Sequence, residues 1–282
     1  MLDPGALTTV QDRGRFGLAH LGVPRAGWLD DRAARLANRL VGNAEDAALL
    51  EVTFGGLSLS AGAALTIALT GADAPLTVAG RASPVAEAVS VPADAVVTIG
   101  QPRTGARSYL AFAGGVAVEP VLGSRSTDTL AFVGPPVVGA GDLLPIGQPA
   151  GTPGPEGGVA PPVPEGPARL GVRVGPRQDW FVPTALETLL RSTYTVGAAS
   201  NRVGLRLDGP PLDRSRSGEL PSEGIVLGAV QVPPSGRPLV FLNDHPTTGG
   251  YPVIGVVDVA DLSRCAQLRP GDAVLFTRLP GR

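Results

Sequence analysis

The chain has 282 residues, of which 39 are glycine and 29 are proline, and its formal net charge at pH 7 is −2. This glycine and proline content excludes a chain built mainly of long helices, whereas a hydrophobic share of 43% excludes a wholly disordered chain. The small net charge gives no electrostatic reason to expect nucleic acid or an acidic membrane as a partner.

Several residue types are scarce enough to exclude classes of chemistry. All 23 basic residues are arginines, which excludes a Schiff-base lysine, a P-loop lysine and a biotinyl-lysine on this chain. The single cysteine, Cys265, excludes an internal disulfide, and we expect it to be a small buried hydrophobe. The two histidines, His20 and His245, are too few for a multi-histidine metal site, so we predict no metal. Without a signal peptide or a membrane-spanning apolar run, the protein is expected to be cytoplasmic.

The first half is predicted to be β-rich with one helix. The helix runs over Asp30–Val41, is capped by Asp30 or Asp31, and ends at Gly42-Asn43. Short runs of β-forming residues between turn residues predict the strands. These runs are Leu49–Phe54, Leu65–Leu69, Val96–Ile99 and Arg107–Ala113.

A segment rich in proline and glycine, residues 149–167, has the composition of a linker. It divides the chain into an N-terminal domain at residues 1–148 and a C-terminal domain at residues 168–282.

The second half is predicted to be β-rich as well. A helix begins near Pro183 with three leucines facing inward, and a single helical turn covers Asp261–Gln267. The spacing of the strands favours barrels or sandwiches over βαβ units. The predicted strands are Leu170–Val174, Ile225–Val232, Leu239–Leu242, Val253–Val259 and Ala273–Thr277.

Two polar segments of the first half are candidates for binding. Thr8–Arg15 combines hydroxyls, an amide, a carboxylate and guanidiniums, and arginine suits a carboxylate or carbonate ligand. The alternative is an internal salt-bridge cluster at the end of a strand. Gly123–Asp128 predicts either an anion nest or an ordinary turn capped by its own hydroxyls.

Two further polar segments lie in the second half. Ser200–Gly204 is followed by Glu219–Gly224, in which Glu219 and Glu223 form either a carboxylate pair for acid–base work or two solvated loop residues. Asn243–Pro252 is too long and polar for a bare hairpin turn, so it is a candidate site-lining loop. Its histidine, His245, is interpreted as a surface residue.

These segments resemble the KipI-antagonist family, which is often labelled allophanate hydrolase subunit 2. The family includes the C subunit of the bacterial ATP-dependent 5-oxoprolinase and the carboxyltransferase region of urea carboxylase. Trp28 departs from the family pattern, because many relatives carry a small residue there, and its ring is expected to fill or reshape a site. The motifs that carry the resemblance are Thr8–Arg15, Gly22–Pro24 with Asp30, Ala37–Asn43, Leu50–Thr53, Tyr109–Ala111 with Gly114-Gly115, Leu122–Asp128, Ser200–Gly204, Ser222–Gly224, Gln231–Pro234 and Thr247–Pro252.

The resemblance implies a mainly β protein with two cyclophilin-like β-barrel domains and few short helices. It implies the C subunit of a complex that converts 5-oxoproline to glutamate with a KipI-like B subunit and a lactam-utilisation A subunit. This chain would bind no cofactor tightly, the complex would use ATP, and the chain alone would be inactive. The alternatives are a carboxyltransferase component of a urea carboxylase and a non-catalytic regulator that binds a KipI-like protein.

One composite site is predicted from these polar segments, and the alternative is that they only knit the two domains together. Three residues are the candidates for proton handling: Asp244, Tyr251 and Glu223. The candidates for binding a lactam or urea-like substrate are Gln11, Asp12, Arg15, Asn201, Arg202, Thr247 and Thr248.

Overall fold

The computed structural model describes residues 1–152, 154 and 166–280, and these residues divide into two compact units. Unit 1 comprises Met1–Arg15, Ala26–Asp128 and the described part of Phe132–Val163. Unit 2 comprises Phe16–Arg25, Thr129–Ala131 and the described part of Pro164–Arg282. Most of the predicted linker lies outside the described residues. The mainly β fold is confirmed, and two short segments of the first half group with unit 2.

Unit 1 contains two five-stranded sheets that share one apolar core. The first sheet has the strand order β1-β4-β9-β6-β7 and the second has the order β2-β3-β10-β5-β8. Both sheets contribute buried side chains to the core, such as Leu57 and Val97 from the first and Leu50 and Ile67 from the second. The strands are β1 Asp3–Pro4, β2 Leu7–Gln11, β3 Leu49–Thr53, β4 Leu57–Ser60, β5 Leu65–Gly71, β6 Leu76–Val78, β7 Arg81–Ser83, β8 Val89–Val91, β9 Val96–Ile99 and β10 Arg107–Phe112.

Helix α1, Asp31–Leu40, covers the other face of the second sheet. The Asp30 side chain accepts a hydrogen bond from the Ala33 N–H at 3.1 Å, which confirms the predicted N-cap. Trp28 is buried in the apolar cluster formed by the helix and the sheet. Its ring therefore fills the core. Because β3 and β10 are covered on both faces, every residue of these strands is buried.

Unit 2 contains a closed barrel with the strand order β11-β18-β15-β16-β13-β12-β19. Parallel pairing of β11 with β19 closes the barrel, and a two-stranded ribbon, β14–β17, lies outside this sheet. The strands are β11 Ala168–Val174, β12 Thr193–Val196, β13 Gly204–Asp208, β14 Glu223–Gly224, β15 Ala229–Gln231, β16 Leu239–Phe241, β17 Thr248–Gly249, β18 Val253–Val257 and β19 Ala273–Arg278.

The helices of unit 2 are α2, Ala185–Arg191, and α3, Val259–Gln267. Helix α3 is longer than the predicted single turn because the Asp258 side chain accepts a hydrogen bond from the Ala260 N–H at 3.0 Å and starts the helix earlier. Cys265 is buried on it, as predicted. None of the described helices combines the length and the apolar character that a membrane crossing requires.

The predicted strand Ile225–Val232 is wrong in its first half. Only Ala229–Gln231 is a strand, because Gly228 adopts a φ of 81° and breaks the extended backbone. The Gly228 N–H donates instead to the Phe241 carbonyl at 2.9 Å. The β-branched composition of the run concealed this turn.

Candidate functional site

Asp12, directly after β2, is the centre of a buried hydrogen-bond network in unit 1. Its Oδ1 accepts hydrogen bonds from the hydroxyls of Ser124 at 2.5 Å and Ser126 at 2.6 Å. The Gly14 N–H donates to Oδ1 at 2.8 Å, and the Arg125 N–H donates to Oδ2 at 2.6 Å. The predicted anion nest at Gly123–Asp128 is thus filled by a carboxylate of the chain itself.

Arg15 is buried beside this network and binds backbone of the same loop. Its Nε donates to the Val121 carbonyl at 3.0 Å, and its Nη2 donates to the Ser126 carbonyl at 2.7 Å. In this structure Asp12 and Arg15 together fold the segment 121–126 onto the end of β2. Their predicted contact with substrate stays a prediction.

Gln11 is fully buried and has unused hydrogen-bonding capacity. Its Nε2 donates to the Thr9 hydroxyl at 3.0 Å and to the Thr127 carbonyl at 2.9 Å. Its Oε1 and the Thr127 hydroxyl are both buried without a hydrogen-bond partner. An unpaired buried polar group costs about 1–3 kcal/mol, so these two atoms are among the buried polar atoms of unit 1 that a further group would satisfy.

In unit 2, Arg202 and Asp244 form a buried, bidentate ion pair. The guanidinium donates from Nε to Oδ2 at 3.0 Å and from Nη2 to Oδ1 at 2.9 Å, and both side chains are at most 1% exposed. Thr129 adds two donors to Oδ2, its N–H at 3.0 Å and its hydroxyl at 2.7 Å. These four donors bind the Asp244 carboxylate to Arg202 and Thr129 in this structure, and its predicted role in proton handling stays a prediction.

The ribbon β14–β17 brings two of the predicted polar segments together, Glu219–Gly224 and Asn243–Pro252. Glu223 pairs with Gly249 across it, and the Leu220 N–H donates to the Gly250 carbonyl at 2.8 Å. A Cβ atom on Gly249 would lie only 2.9 Å from the amide nitrogen of Gln231, so glycine allows this close approach. The ribbon therefore places a carboxylate and an amide beside the loop that carries Thr247 and Tyr251.

Two candidates for proton handling lie on or next to this ribbon. Glu223 accepts a hydrogen bond from Arg177 Nε at 3.0 Å and forms an ion pair with the same guanidinium. Tyr251 is half-buried, and its hydroxyl has no hydrogen-bond partner among the described residues. Its carbonyl accepts a hydrogen bond from Gln231 Nε2 at 3.1 Å. The ribbon therefore presents one anchored carboxylate and one available hydroxyl.

Three other predicted or discussed residues have different surroundings. Asn201 closes a local turn, because its Oδ1 accepts a hydrogen bond from the Val203 N–H at 2.9 Å. Thr248 is exposed on β17. The interpretation of His245 as a surface residue is wrong: it is buried, with its ring centroid 6.1 Å from that of Phe241. Its apolar ring faces favour this packing.

Sequence reasoning missed a buried charged cluster in unit 1. Glu51 lies 3.6 Å from Arg107 Nε and accepts a hydrogen bond from the Leu29 N–H at 3.0 Å. The Tyr109 hydroxyl oxygen accepts a hydrogen bond from the Asp30 N–H at 2.8 Å. Burial, together with the Glu51 charge, raises the pKa of Tyr109 well above its usual value, so this phenol stays protonated.

Within residues 1–152, 154 and 166–280, no three histidine, cysteine, aspartate or glutamate side chains are arranged to hold a metal ion.

The chain is similar to known proteins over almost its whole length. The family model "Carboxyltransferase domain, subdomain A and B" matches residues 21–278. The C subunit of 5-oxoprolinase from Escherichia coli (strain K12) is 38% identical over 277 residues, which cover 97% of this chain and 89% of that protein.

Two solved structures have the same fold. The crystal structure of TTHA0988 in space group P212121 has a TM-score of 0.86 and 40% identity, covering 98% of this chain and 54% of that one. The Kluyveromyces lactis urea carboxylase has a TM-score of 0.90 and 30% identity, covering 99% of this chain. The chain spans about half the length of the first structure and 27% of the second.

Proposed function

The chain belongs to the carboxyltransferase-domain family, subdomains A and B, and on that premise we propose that it is the C subunit of an ATP-dependent 5-oxoprolinase. One observation carries the proposal: the 38% identity to a protein named as the C subunit of 5-oxoprolinase extends over 97% of this chain and 89% of that protein. A match to nearly the whole length of a separate subunit supports the same role for this chain.

The complex would open the lactam ring of 5-oxoproline to give glutamate. One water adds across the amide C–N bond, and a second water cleaves ATP to ADP and phosphate. The chain has no P-loop lysine, so we propose that ATP is bound elsewhere in the complex. The partners would be a KipI-like B subunit and a lactam-utilisation A subunit, in the cytoplasm, and this chain alone would be inactive.

The ribbon β14–β17 is the part of unit 2 best suited to act on the lactam. Ring opening converts the amide nitrogen into an amine, which requires a proton, and the available Tyr251 hydroxyl is the candidate donor. Glu223, anchored by Arg177, is the candidate proton acceptor on the same ribbon. Thr248 on β17 and Thr247, which precedes the strand, supply hydroxyls for binding.

Reconstitution with the two partner subunits tests the proposal. We expect 5-oxoproline-dependent formation of glutamate and ADP from the three proteins together, and none from this chain alone. Tyr251→Phe should reduce the rate at least about tenfold, or roughly 1.4 kcal/mol of transition-state stabilisation, because the proton donor is lost. The measurement is the steady-state rate of glutamate release.

Tyr194→Phe is the matched control, since it also removes one phenol hydroxyl. That hydroxyl donates to the Pro210 carbonyl at 3.3 Å inside unit 2, so its loss should leave the rate unchanged. Glutamate formation by the other two subunits without this chain would contradict the proposed function. An unchanged rate with Tyr251→Phe would contradict only the role of the hydroxyl.

The second candidate function is a carboxyltransferase component acting with a urea carboxylase, favoured by the TM-score of 0.90 to the Kluyveromyces lactis enzyme. A third is a regulator that binds a KipI-like protein without catalysis. Urea-dependent consumption of carboxybiotin, supplied by a separate carrier, would indicate the carboxyltransferase. Complex formation with a KipI-like protein, without turnover in any combination of subunits, would indicate the regulator.

A further inference from the structure

Unit 2 contains a cleft of about 490 Å³ that none of the predicted substrate-binding residues line. Residues 211–214, 216–219 and 234–236 form its walls. Its volume lies within the usual range of small-molecule sites, about 300–1,000 Å³. The walls combine apolar side chains, such as Leu212, with two arginines, Arg214 and Arg216.

Arg214 is the residue of the cleft whose hydrogen-bonding capacity favours a bound ligand. Its Nη2 donates to the Gly218 carbonyl, whereas its Nε is buried without a hydrogen-bond partner. Among the described residues, no carboxylate pairs with this guanidinium. A partly buried arginine without a counter-ion favours an anion with acceptor oxygens, because a charge-assisted hydrogen bond then satisfies both the charge and the donors.

The arginine is also held in a defined position. The Arg214 and Arg216 guanidinium carbons lie 5.5 and 5.8 Å from the centroid of the Trp180 ring, which is a cation–π arrangement. Arg216 in addition pairs with Asp179 at 3.0 Å, so Arg214 is the arginine of the two that has no carboxylate partner among the described residues. The half-buried Trp180 ring therefore lies beside both guanidiniums.

We propose that this cleft binds a small carboxylate and that Arg214 is the main residue that binds it. Asp213 and Glu219 also line the cleft, and Glu219 Oε2 lies 3.7 Å from a Cβ position built on Gly250. The cleft thus adjoins the ribbon β14–β17. A carboxylate beside a guanidinium, with acidic groups nearby, suits a lactam acid or an α-amino acid. The choice of a lactam acid and an α-amino acid rests on the proposed function, whereas the carboxylate site itself rests on Arg214 and the cleft.

Ligand titration of the full chain, followed by Trp180 fluorescence and by calorimetry, tests the proposal. The probes are 5-oxoproline and glutamate, with 2-pyrrolidinone as a lactam that lacks the carboxylate. We expect saturable binding of at least one carboxylate and none of 2-pyrrolidinone. Arg214→Gln should weaken that binding at least tenfold, and Trp180→Phe should remove the fluorescence change but leave a calorimetric signal.

Arg191→Gln is the matched control, because Arg191 lies on α2, pairs with Glu187 and is 80% exposed. It should bind the carboxylate like the unaltered chain. Glu219→Gln separates the two ligand classes: weaker binding of glutamate alone would identify an amino acid with its ammonium group at Glu219. Equal effects on both probes would identify the carboxylate as the recognised group.

Absence of saturable binding of either carboxylate would overturn the proposal. It would equally be overturned by an affinity that Arg214→Gln leaves unchanged while the thermal unfolding of the variant matches that of the unaltered chain. Because these readouts need no partner subunit, their failure is distinguishable from failure of the proposed enzyme function.

Discussion

Asp244 in unit 2 and Asp12 in unit 1 are both buried carboxylates, but they are stabilised by different physics. Asp244 is paired with the Arg202 guanidinium, whereas Asp12 accepts hydrogen bonds from neutral hydroxyl and backbone N–H groups. Removing Arg202 leaves the buried charge of Asp244 without a counter-charge. Removing the Asp12 carboxylate leaves only neutral hydroxyl and backbone N–H groups without their acceptor. The same residue type can therefore form a buried ion pair in one unit and occupy an anion nest in the other.

The largest effect is expected for Arg202→Ala. This change leaves the Asp244 carboxylate, which is 0% exposed, without its counter-charge. Breaking a buried ion pair in this way costs about 3–5 kcal/mol of unfolding free energy. Urea unfolding followed by circular dichroism measures the loss. The double variant Arg202→Ala, Asp244→Ala should lose less than the sum of the single changes, because the orphaned charge is then gone.

Arg237→Ala provides the control for the buried Arg202–Asp244 ion pair. Arg237 pairs with Asp208 at 2.6 Å on the surface of the same unit, with both side chains more than half exposed. Solvated pairs contribute about 0–1 kcal/mol, so this variant should unfold almost like the unaltered chain. A loss from Arg202→Ala no larger than that from Arg237→Ala would contradict the claim that the buried ion pair stabilises unit 2.

A smaller loss, about 2–3 kcal/mol, is expected for Asp12→Ala. The Ser124 and Ser126 hydroxyls can rotate toward other acceptors, and only the backbone N–H groups of Gly14 and Arg125 are left fixed and unpaired. Hydrogen exchange should show faster opening of residues 121–128, with β11 and β19 of unit 2 unchanged. A destabilisation equal to that of Arg202→Ala would show that charge is not what distinguishes the two centres.

Local signals in the sequence predicted much of the fold. The Asp30 cap, the helix it starts and the strand Val96–Ile99 follow from neighbouring residues alone, and they are confirmed. The family resemblance is confirmed as well, since its motifs extend along the chain. Local composition failed at Ile225–Val232, where one glycine conformation decides the backbone, and at Asp258, whose cap lengthens α3.

The candidate site was less accessible from the sequence because its groups meet only through tertiary structure. No local pattern connects Asp12 with a serine loop more than a hundred residues away, or Arg177 with Glu223. The type of a polar residue also does not reveal whether its donors and acceptors are already used. Tyr251 keeps its hydroxyl available, whereas Asp244 does not, and only the folded hydrogen-bond network distinguishes them.

An effect smaller than that of Asp12→Ala is expected for the buried phenols of the two units at high pH. Burial raises the pKa of Tyr194 to about 12, and a tyrosine in the unfolded chain ionises near pH 10. The unfolded state therefore releases its proton first, so the stability contributed by Tyr194 is complete below pH 10 and is lost as the pH rises to about 12. With partial solvent screening, we expect this loss to be about 1–2 kcal/mol.

Tyr194→Phe should remove that loss, and the edge contact of the ring with Phe276, now at 5.9 Å between centroids, can be kept. The chain has no lysine and only three tyrosines, so few other groups titrate between pH 10 and 12. Tyr109 in unit 1, whose pKa is raised further by the Glu51 charge, should still cause a decline in the variant. Urea unfolding at pH 9, 10, 11 and 12 measures how steeply the unfolding free energy falls with pH in the unaltered chain and in the variant. Parallel slopes would mean that the Tyr194 phenol is solvated enough to ionise normally, and that the barrel of unit 2 is more open there than its packing indicates.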